Sequence, residues 1–406
     1  TKLSWATQIW RVIQVQDGES GHYVTRVFDD MAAVPPERWD ALLAQQAQPT
    51  PFMRHAYLRA LTDSGSAVAR TGWRLQLFTL WDGGDLAAAC TVWLKSHSRG
   101  EYVFDWAWAE AYERHDLPYY PTAVLASPFT PVPGSRLLAR NAAERQALLQ
   151  ALIGWCQAQA LPSLHLLFGD AADQQAGTAL GLLQRQQVQF HWHNQGWTDF
   201  EAFLASLSQD KRKKIRQERR KVREAGVVFR CVGGAEASAS DWAFVQRCYE
   251  QTYWEHGNPP YLQPGFFEAM RRDMPENWLL CIGEREGQPM AMSLIGLQRD
   301  AQGAPQVAYG RYWGATERVD CLHFEACYYQ PLAWCMAHGV QRFEGGAQGE
   351  HKMARALMPV NTASLHWIAH PAFAEAIARF LEREREGVAE YLQVLGQHSP
   401  LRQAQA

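Results

Sequence analysis

The chain has 406 residues, of which 47% are apolar and 20% charged, and its formal net charge is −3. That length exceeds what one hydrophobic core organises, so two domains are expected, and the composition excludes wholesale disorder. No run reaches the ~18 apolar residues a spanning helix needs, so no membrane span is expected. The first twenty residues lack an uninterrupted apolar segment and a small-residue cleavage site, so they are not expected to be a signal peptide. Cysteines stand at 90, 156, 231, 248, 281, 321, 327 and 335, with no C-x-x-C pair. This scatter predicts reduced thiols in a cytoplasmic protein, with neither a disulfide framework nor a zinc site.

In chain order, the first half predicts a strand at 23–29, helices at 35–46 and 52–63, and a hairpin across 73–95. A strand at 121–127, a helix at 142–160, a strand at 163–169, a helix at 171–187 and a strand at 188–194 follow. The second half repeats the succession at 227–232, 240–256, 263–273, 278–299, 306–314, 321–338, 340–345, 350–357 and 363–369, closed by a helix near 371–395.

Two local similarities support an internal duplication. The helix-turn-strand signal around Trp155 returns around Trp334, and the Gly-containing hairpin turn at Gly84 returns at Gly287. The Pro-rich stretch 118–134 reads as an insertion into the first copy. Antiparallel strands followed by one β-α-β crossover make a mixed α/β fold with mostly antiparallel sheets, not a doubly wound one. The expected division is an N-terminal extension at 1–22, a first domain at 23–198 and a second at 199–398 that includes a basic helix at 209–225.

That basic helix concentrates the charge. Residues 210–224 hold nine Lys/Arg against three Asp/Glu, while Ile215 and Val222 form a thin apolar stripe. Lys211, Arg212, Lys214, Arg216, Arg219 and Arg220 are the expected contacts to a polyanion, a donor phosphate or a nucleic acid. A solvated helix paired to its own carboxylates is the plainer alternative.

Other clusters carry chemistry. In the 101–113 segment, Asp105 and Glu110 could orient an amine while Trp106 stacks on a substrate, although Trp106 and Trp108 at alternate positions also suit the core of a strand. Arg311 and Tyr312 precede the central helix of the second half, where His323 beside Glu325 could act as general base and Tyr328 as packing or proton donor. Glu344 stands before a Gly-Gly pair where the chain can approach a ligand closely, followed by Gln348, His351 and Lys352. Lys352 is the only lysine after Lys221, and its compact charge could reach a single oxygen. His191 and His193 share a strand face without a third ligand, so they are expected at a surface and no metal is expected. No P-loop, H-E-x-x-H or G-x-S-x-G is present, which removes the common NTPase, zincin and hydrolase classes.

These features resemble the FemAB-like group of the GNAT acyltransferase superfamily, the bacterial peptidoglycan biosynthesis/recognition family. The resemblance is carried by the basic run from Asp210 to Val227, by Phe343-Glu344-Gly345-Gly346 with His351-Lys352 downstream, and by the segments Glu101–Trp108 and Arg318–Tyr329. It implies two tandem GNAT-like domains and transfer of an acyl or aminoacyl group to an amine of a peptide or cell-wall precursor. Lys352 is similar in position to the family's site lysine, and His323 and Glu325 would serve the attacking amine. The donor implied is aminoacyl-tRNA or, second to it, acyl-CoA. Thr316–Asp320, where CoA-dependent members carry a Gly-rich phosphate loop, has two carboxylates and no glycine. A non-catalytic glycan, peptide or nucleic-acid recognition protein and a conventional acyl-CoA N-acyltransferase stay open as alternatives.

Overall fold

Turn chemistry sets two hairpins. Gly83 adopts φ +59°, while Glu286 and Gly287 adopt +52° and +74°, the left-handed conformations that two-residue hairpin loops require. The computed structural model describes residues 23–102, 105–346, 349–397 and 400–401; the extension expected at 1–22 lies outside the described residues. The elements, in order, are β1 (Tyr23–Phe28), α1 (Pro36–Ala44), α2 (His55–Asp63), β2 (Trp73–Asp82), β3 (Asp85–Lys95), α3 (Trp106–Glu113), β4 (Thr122–Leu125), β5 (Leu138–Ala139), α4 (Ala142–Ala158), β6 (Ser163–Leu166), α5 (Ala171–Ala179) and β7 (Leu183–His193). They continue as α6 (Phe200–Ser206), α7 (Gln209–Glu224), β8 (Val227–Gly233), α8 (Ala239–Glu255), α9 (Pro264–Asp273), β9 (Trp278–Arg285), β10 (Gln288–Arg299), β11 (Pro305–Ala315), α10 (Leu322–Phe324), a π-helical turn (Glu325–Tyr329), α11 (Gln330–Ala337), β12 (Arg342–Glu344), β13 (Met358–Ile368) and α12 (Pro371–Gly396).

The chain divides into two compact units. The first comprises residues up to Arg59, Ala67–Arg185 and Ala363–Leu381; the second comprises Ala60–Ser66, Gln186–Thr362 and the residues from Glu382 on. In the first, β1, β2, β3 and β4 pair antiparallel in turn, β4 pairs parallel with β6, and β6 pairs antiparallel with β13. In the second, β8, β9, β10 and β11 pair antiparallel, β11 pairs parallel with β12, and β12 pairs antiparallel with β7. Apart from β5, which pairs antiparallel with β3 in the first unit, the two pairing patterns are the same. The cut expected at residue 198 falls elsewhere because the last strand of each half serves as the sixth strand of the opposite unit.

The duplicated tryptophans hold equivalent places. α4 and α11 each cross between the parallel strands of their unit, and Trp155 and Trp334 each stand eight residues before the next strand, at Ser163 and Arg342. Trp155 packs edge-on against Phe78 in a core with Leu148, Leu152, Leu164 and Leu166. In the second unit Trp192, Phe203, Ile215, Tyr329, Leu332 and Phe343 form the corresponding core.

Several local expectations are corrected. The segment at 106–113 is helix α3 rather than a strand, with Trp108 buried and Trp106 59% exposed. The helix expected at 171–187 ends at Ala179, and β7 already begins at Leu183. The single insertion expected at 118–134 is two longer connections, one carrying α3 between β3 and β4, the other running from β4 to α4. Cys231 and Cys281 face each other across β8 and β9, with Cα atoms 4.2 Å apart, and form a disulfide in place of two free thiols.

Candidate active site in the second unit

The site begins where two parallel strands part. β11 and β12 pair through Val307–Arg342, Ala308–Phe343 and Tyr309–Glu344, and the pairing ends there. On its other side β11 carries a bulge: Leu294 faces Tyr312 while Ile295 faces Gly310, so Arg311 is the extra residue and its direction is reset. Beyond the last pair lies a cleft of about 140 Å³, lined by Ser293, Arg311, Tyr312, Trp313, His323, Cys327, Tyr328, Phe343 and Gly345 among others.

The entry to the central helix is irregular for identifiable reasons. Cys321 caps it in the left-handed conformation, φ +65°. Pro331, in the first turn of α11, has no N–H to return to the turn before it, and the preceding residues take the wider π geometry. The Ala326 carbonyl is instead served by the hydroxyl of Ser293. This turn aims His323 into the cleft, edge-on to Trp313 and Tyr328. Burial first, and then repulsion by His351, Arg355 and Lys352, push the imidazole down to about 4, so it is neutral near pH 7. Trp313 and His323 also line a second cavity of about 470 Å³, bounded by Thr252, Glu255 and His256 of the α8 end and by residues 315–319. The two chambers therefore share these residues.

Glu325 is not beside His323 in this chemistry. It is buried and turned to α7, where the Arg219 guanidinium donates to both its oxygens at 3.1 and 3.2 Å and Gln330 donates at 2.7 Å. α7 is thus only partly a solvated face. Ile215 and Val222 are buried as the apolar stripe predicts, and Glu218 points inward to Tyr329 and Arg355. Arg216 pairs with Glu201, Arg220 with Glu224 and Lys221 with Asp320. Among the described residues Lys211, Arg212 and Lys214 form no ion pair. Arg216, Arg219 and Arg223 also line a cavity of about 380 Å³ with Leu204, Val227, Phe229 and Glu325. The glycine-free stretch before α10 spends its carboxylates on cations, Glu317 on Arg285 and Asp320 on Lys221.

Lys352 is buried, 5% exposed, on the short 3-10 turn Glu350–Arg355. Its ammonium donates to the Gly346 carbonyl at 3.0 Å, and burial lowers it to about 8. A Cβ on Gly345 would meet Leu357 at 2.4 Å, Lys352 at 3.4 Å and Tyr328 at 3.6 Å, so only glycine lets this lysine and the cleft wall close together. His351 accepts or donates to the Tyr328 hydroxyl at 3.3 Å. Glu344 does not share this cleft: Phe343 and Gly345 line it, and the residue between them in the pleat faces the other way. Its carboxyl, pushed up to about 7 by burial, accepts from Arg342 at 2.9 Å and lies 3.7 Å from His191. His191 is buried rather than at a surface, and burial holds it neutral, so this contact is not an ion pair. Gln348 lies outside the described residues.

In the first unit the corresponding place is occupied by its own chain. Past β4 and β6 its own chain fills the space: Gly134 bridges to Gly169, and the buried Arg136 donates to the Leu167 carbonyl at 3.0 Å. Asp105 is buried here under α3, while Glu110 and Trp106 face solvent on that helix. Sequence reasoning missed what Asp105 belongs to. Its carboxylate accepts from Tyr119 at 2.5 Å; Tyr119 lies 3.4 Å from His165, and His165 Nδ1 lies 2.8 Å from His366 Nδ1. Lys95 and Glu101 form a buried ion pair, 3.3 Å, near its other end. No sequence spacing joins residues 105, 119, 165 and 366; the β6–β13 register brings the two histidines together, and the start of α3 and the segment before β4 bring Asp105 and Tyr119. Among the described residues no group of His, Cys, Asp and Glu is suited to a metal ion, and no helix is long and apolar enough to cross a membrane.

The two units repeat one mixed, mostly antiparallel sheet, and the second opens a cleft at the parting of its parallel pair. A family model named FemAB-like, described as peptidoglycan biosynthesis/recognition, matches residues 30–403, and the chain belongs to that family. Among solved structures it is similar to FemX, at 10% identity with a TM-score of 0.53, covering 85% of this chain and 98% of that one. It is also similar to L-PGS from Bacillus licheniformis, at 10% identity and a TM-score of 0.51, covering 86% and 97%. At such identities the likeness is one of fold. No curated protein sequence matches the chain.

Proposed function

We propose that the second unit transfers an acyl or aminoacyl group from an activated donor to an amine of a peptide or cell-wall precursor, with aminoacyl-tRNA as the donor. The observation that carries this reading is the pair of chambers meeting at Trp313 and His323, one in the strand parting and one open beside α8. A donor carbonyl in the narrow chamber and an amine in the wide one would meet at that junction, where positioning supplies most of the rate. The amine nitrogen attacks the carbonyl carbon, the ester bond to the donor breaks, and the amine proton passes to the leaving hydroxyl. Neutral His323 can accept that proton in transit, and Lys352 can face the developing oxyanion. Support for a tRNA donor comes from the glycine-free helix entry and the unpaired cations of α7. Incubating the protein with charged tRNA, acyl-CoA and a peptide amine, followed by mass spectrometry of the peptide, tests it. Transfer from acyl-CoA alone overturns the donor assignment, and transfer from neither favours recognition without chemistry.

A further inference from the structure

We propose that the narrow cleft takes an acyl group bearing its own carboxylate, in preference to a neutral or cationic one; this rests on the transferase reading above. Three arginines of the second unit near the cleft have counter-ions. Arg355 pairs with Glu218 at 2.9 Å, Arg219 with Glu325 at 3.0 Å and Arg342 with Glu344 at 2.9 Å. Lys352 differs from these three. It lies behind the cleft-lining Gly345, is more buried than Arg219 or Arg342, has three N–H donors, makes one hydrogen bond to a backbone carbonyl, and among the described residues forms no ion pair. An ammonium held out of water without a counter-charge is unfavourable, and a ligand anion relieves it. The cleft wall agrees in sign: its lining includes the cation Arg311 and no aspartate or glutamate. Glu344, the acidic residue nearest in sequence, is turned to the opposite face. A volume of about 140 Å³ suits a short chain.

Three N-acetylcysteamine thioesters of matched five-carbon chains test this on the full chain: glutaryl, pentanoyl and 5-aminopentanoyl. None carries phosphate. Calorimetry should find the glutaryl thioester bound at least tenfold more tightly than the 5-aminopentanoyl one. Lys352→Met should abolish that preference, and Lys352→Arg should keep it. Equal affinity for all three, or a preference that survives both Lys352→Met and Arg311→Met, overturns the proposal while leaving transfer intact. If inorganic phosphate competes and the glutaryl and pentanoyl probes bind alike, the anion site belongs to a donor phosphate and the proposal is wrong. Binding of none of the three also overturns the proposal, while the charged-tRNA assay decides separately whether the transferase reading stands.

Discussion

Arg219 on α7 grips Glu325 at the first residue of the π-helical turn, with Nε between both carboxylate oxygens and Nη2 3.0 Å from one of them. The basic helix is thereby fastened to the entry of the central helix that presents His323. Arg219 is about a quarter exposed, which screens the pair, but Glu325 is buried and would be stranded without it. Arg219→Ala should therefore cost about 1–3 kcal/mol in urea unfolding. Arg219→Ala combined with Glu325→Gln should recover part of that loss. Additive losses in the double variant would show that the two residues act independently.

Lys352→Met should leave the melting temperature unchanged or raised, because the methionine fills the same space without a desolvated charge. Transfer should fall by at least a hundredfold. A variant that unfolds, or one that retains transfer, would remove Lys352 from the chemistry.

Glu344 makes stability depend on pH. Its carboxyl titrates near 7 in the folded chain and near 4.5 unfolded, so the unfolded state loses its proton first as pH rises. The contribution is complete below about pH 4.5, declines up to about pH 7, and is flat above. Glu344→Gln should remove this decline, so the variant should gain on the wild type by about 3 kcal/mol between pH 4.5 and 8. Unfolding at pH 5 and pH 8 measures it; parallel curves for the two proteins would contradict the burial argument.

Tyr119→Phe in the first unit removes the donor that satisfies Asp105 and the neighbour of His165. A buried carboxylate left short of a partner should cost about 1–3 kcal/mol. Thermal melting reads it, with Tyr120→Phe, on the Ser98 side of the same corner, as the comparison.

Much of the fold was legible because turns and periodicity are local properties. The Gly83–Gly84 and Glu286–Gly287 hairpins and the Trp155 and Trp334 helices follow from residues within a few positions of each other. His323 and Glu325 part because residues two apart on a helix do not share a face: His323 lines the cleft and Glu325 turns to α7. Alternate tryptophans at 106 and 108 mimicked a strand in a segment where α3 forms. The placement of Glu344 away from the cleft depends on the pleat of a three-residue strand, which no spacing in the sequence fixes. Cys231 and Cys281 lie 50 residues apart and meet only through the β8–β9 register.

The pairing of β6 with β13 bears on how the chain is made. During synthesis the first unit has β1 to β6 by residue 166, yet its last strand, Ala363–Ile368, emerges about two hundred residues later. Until then the edge of β6 carries unpaired backbone groups, which attract other strands. A fragment ending near residue 198 should be poorly soluble, whereas co-expression of a piece containing 358–396 should rescue it. Neither half of the chain carries every strand of its own unit, so each half needs the other to be translated before its sheet is complete.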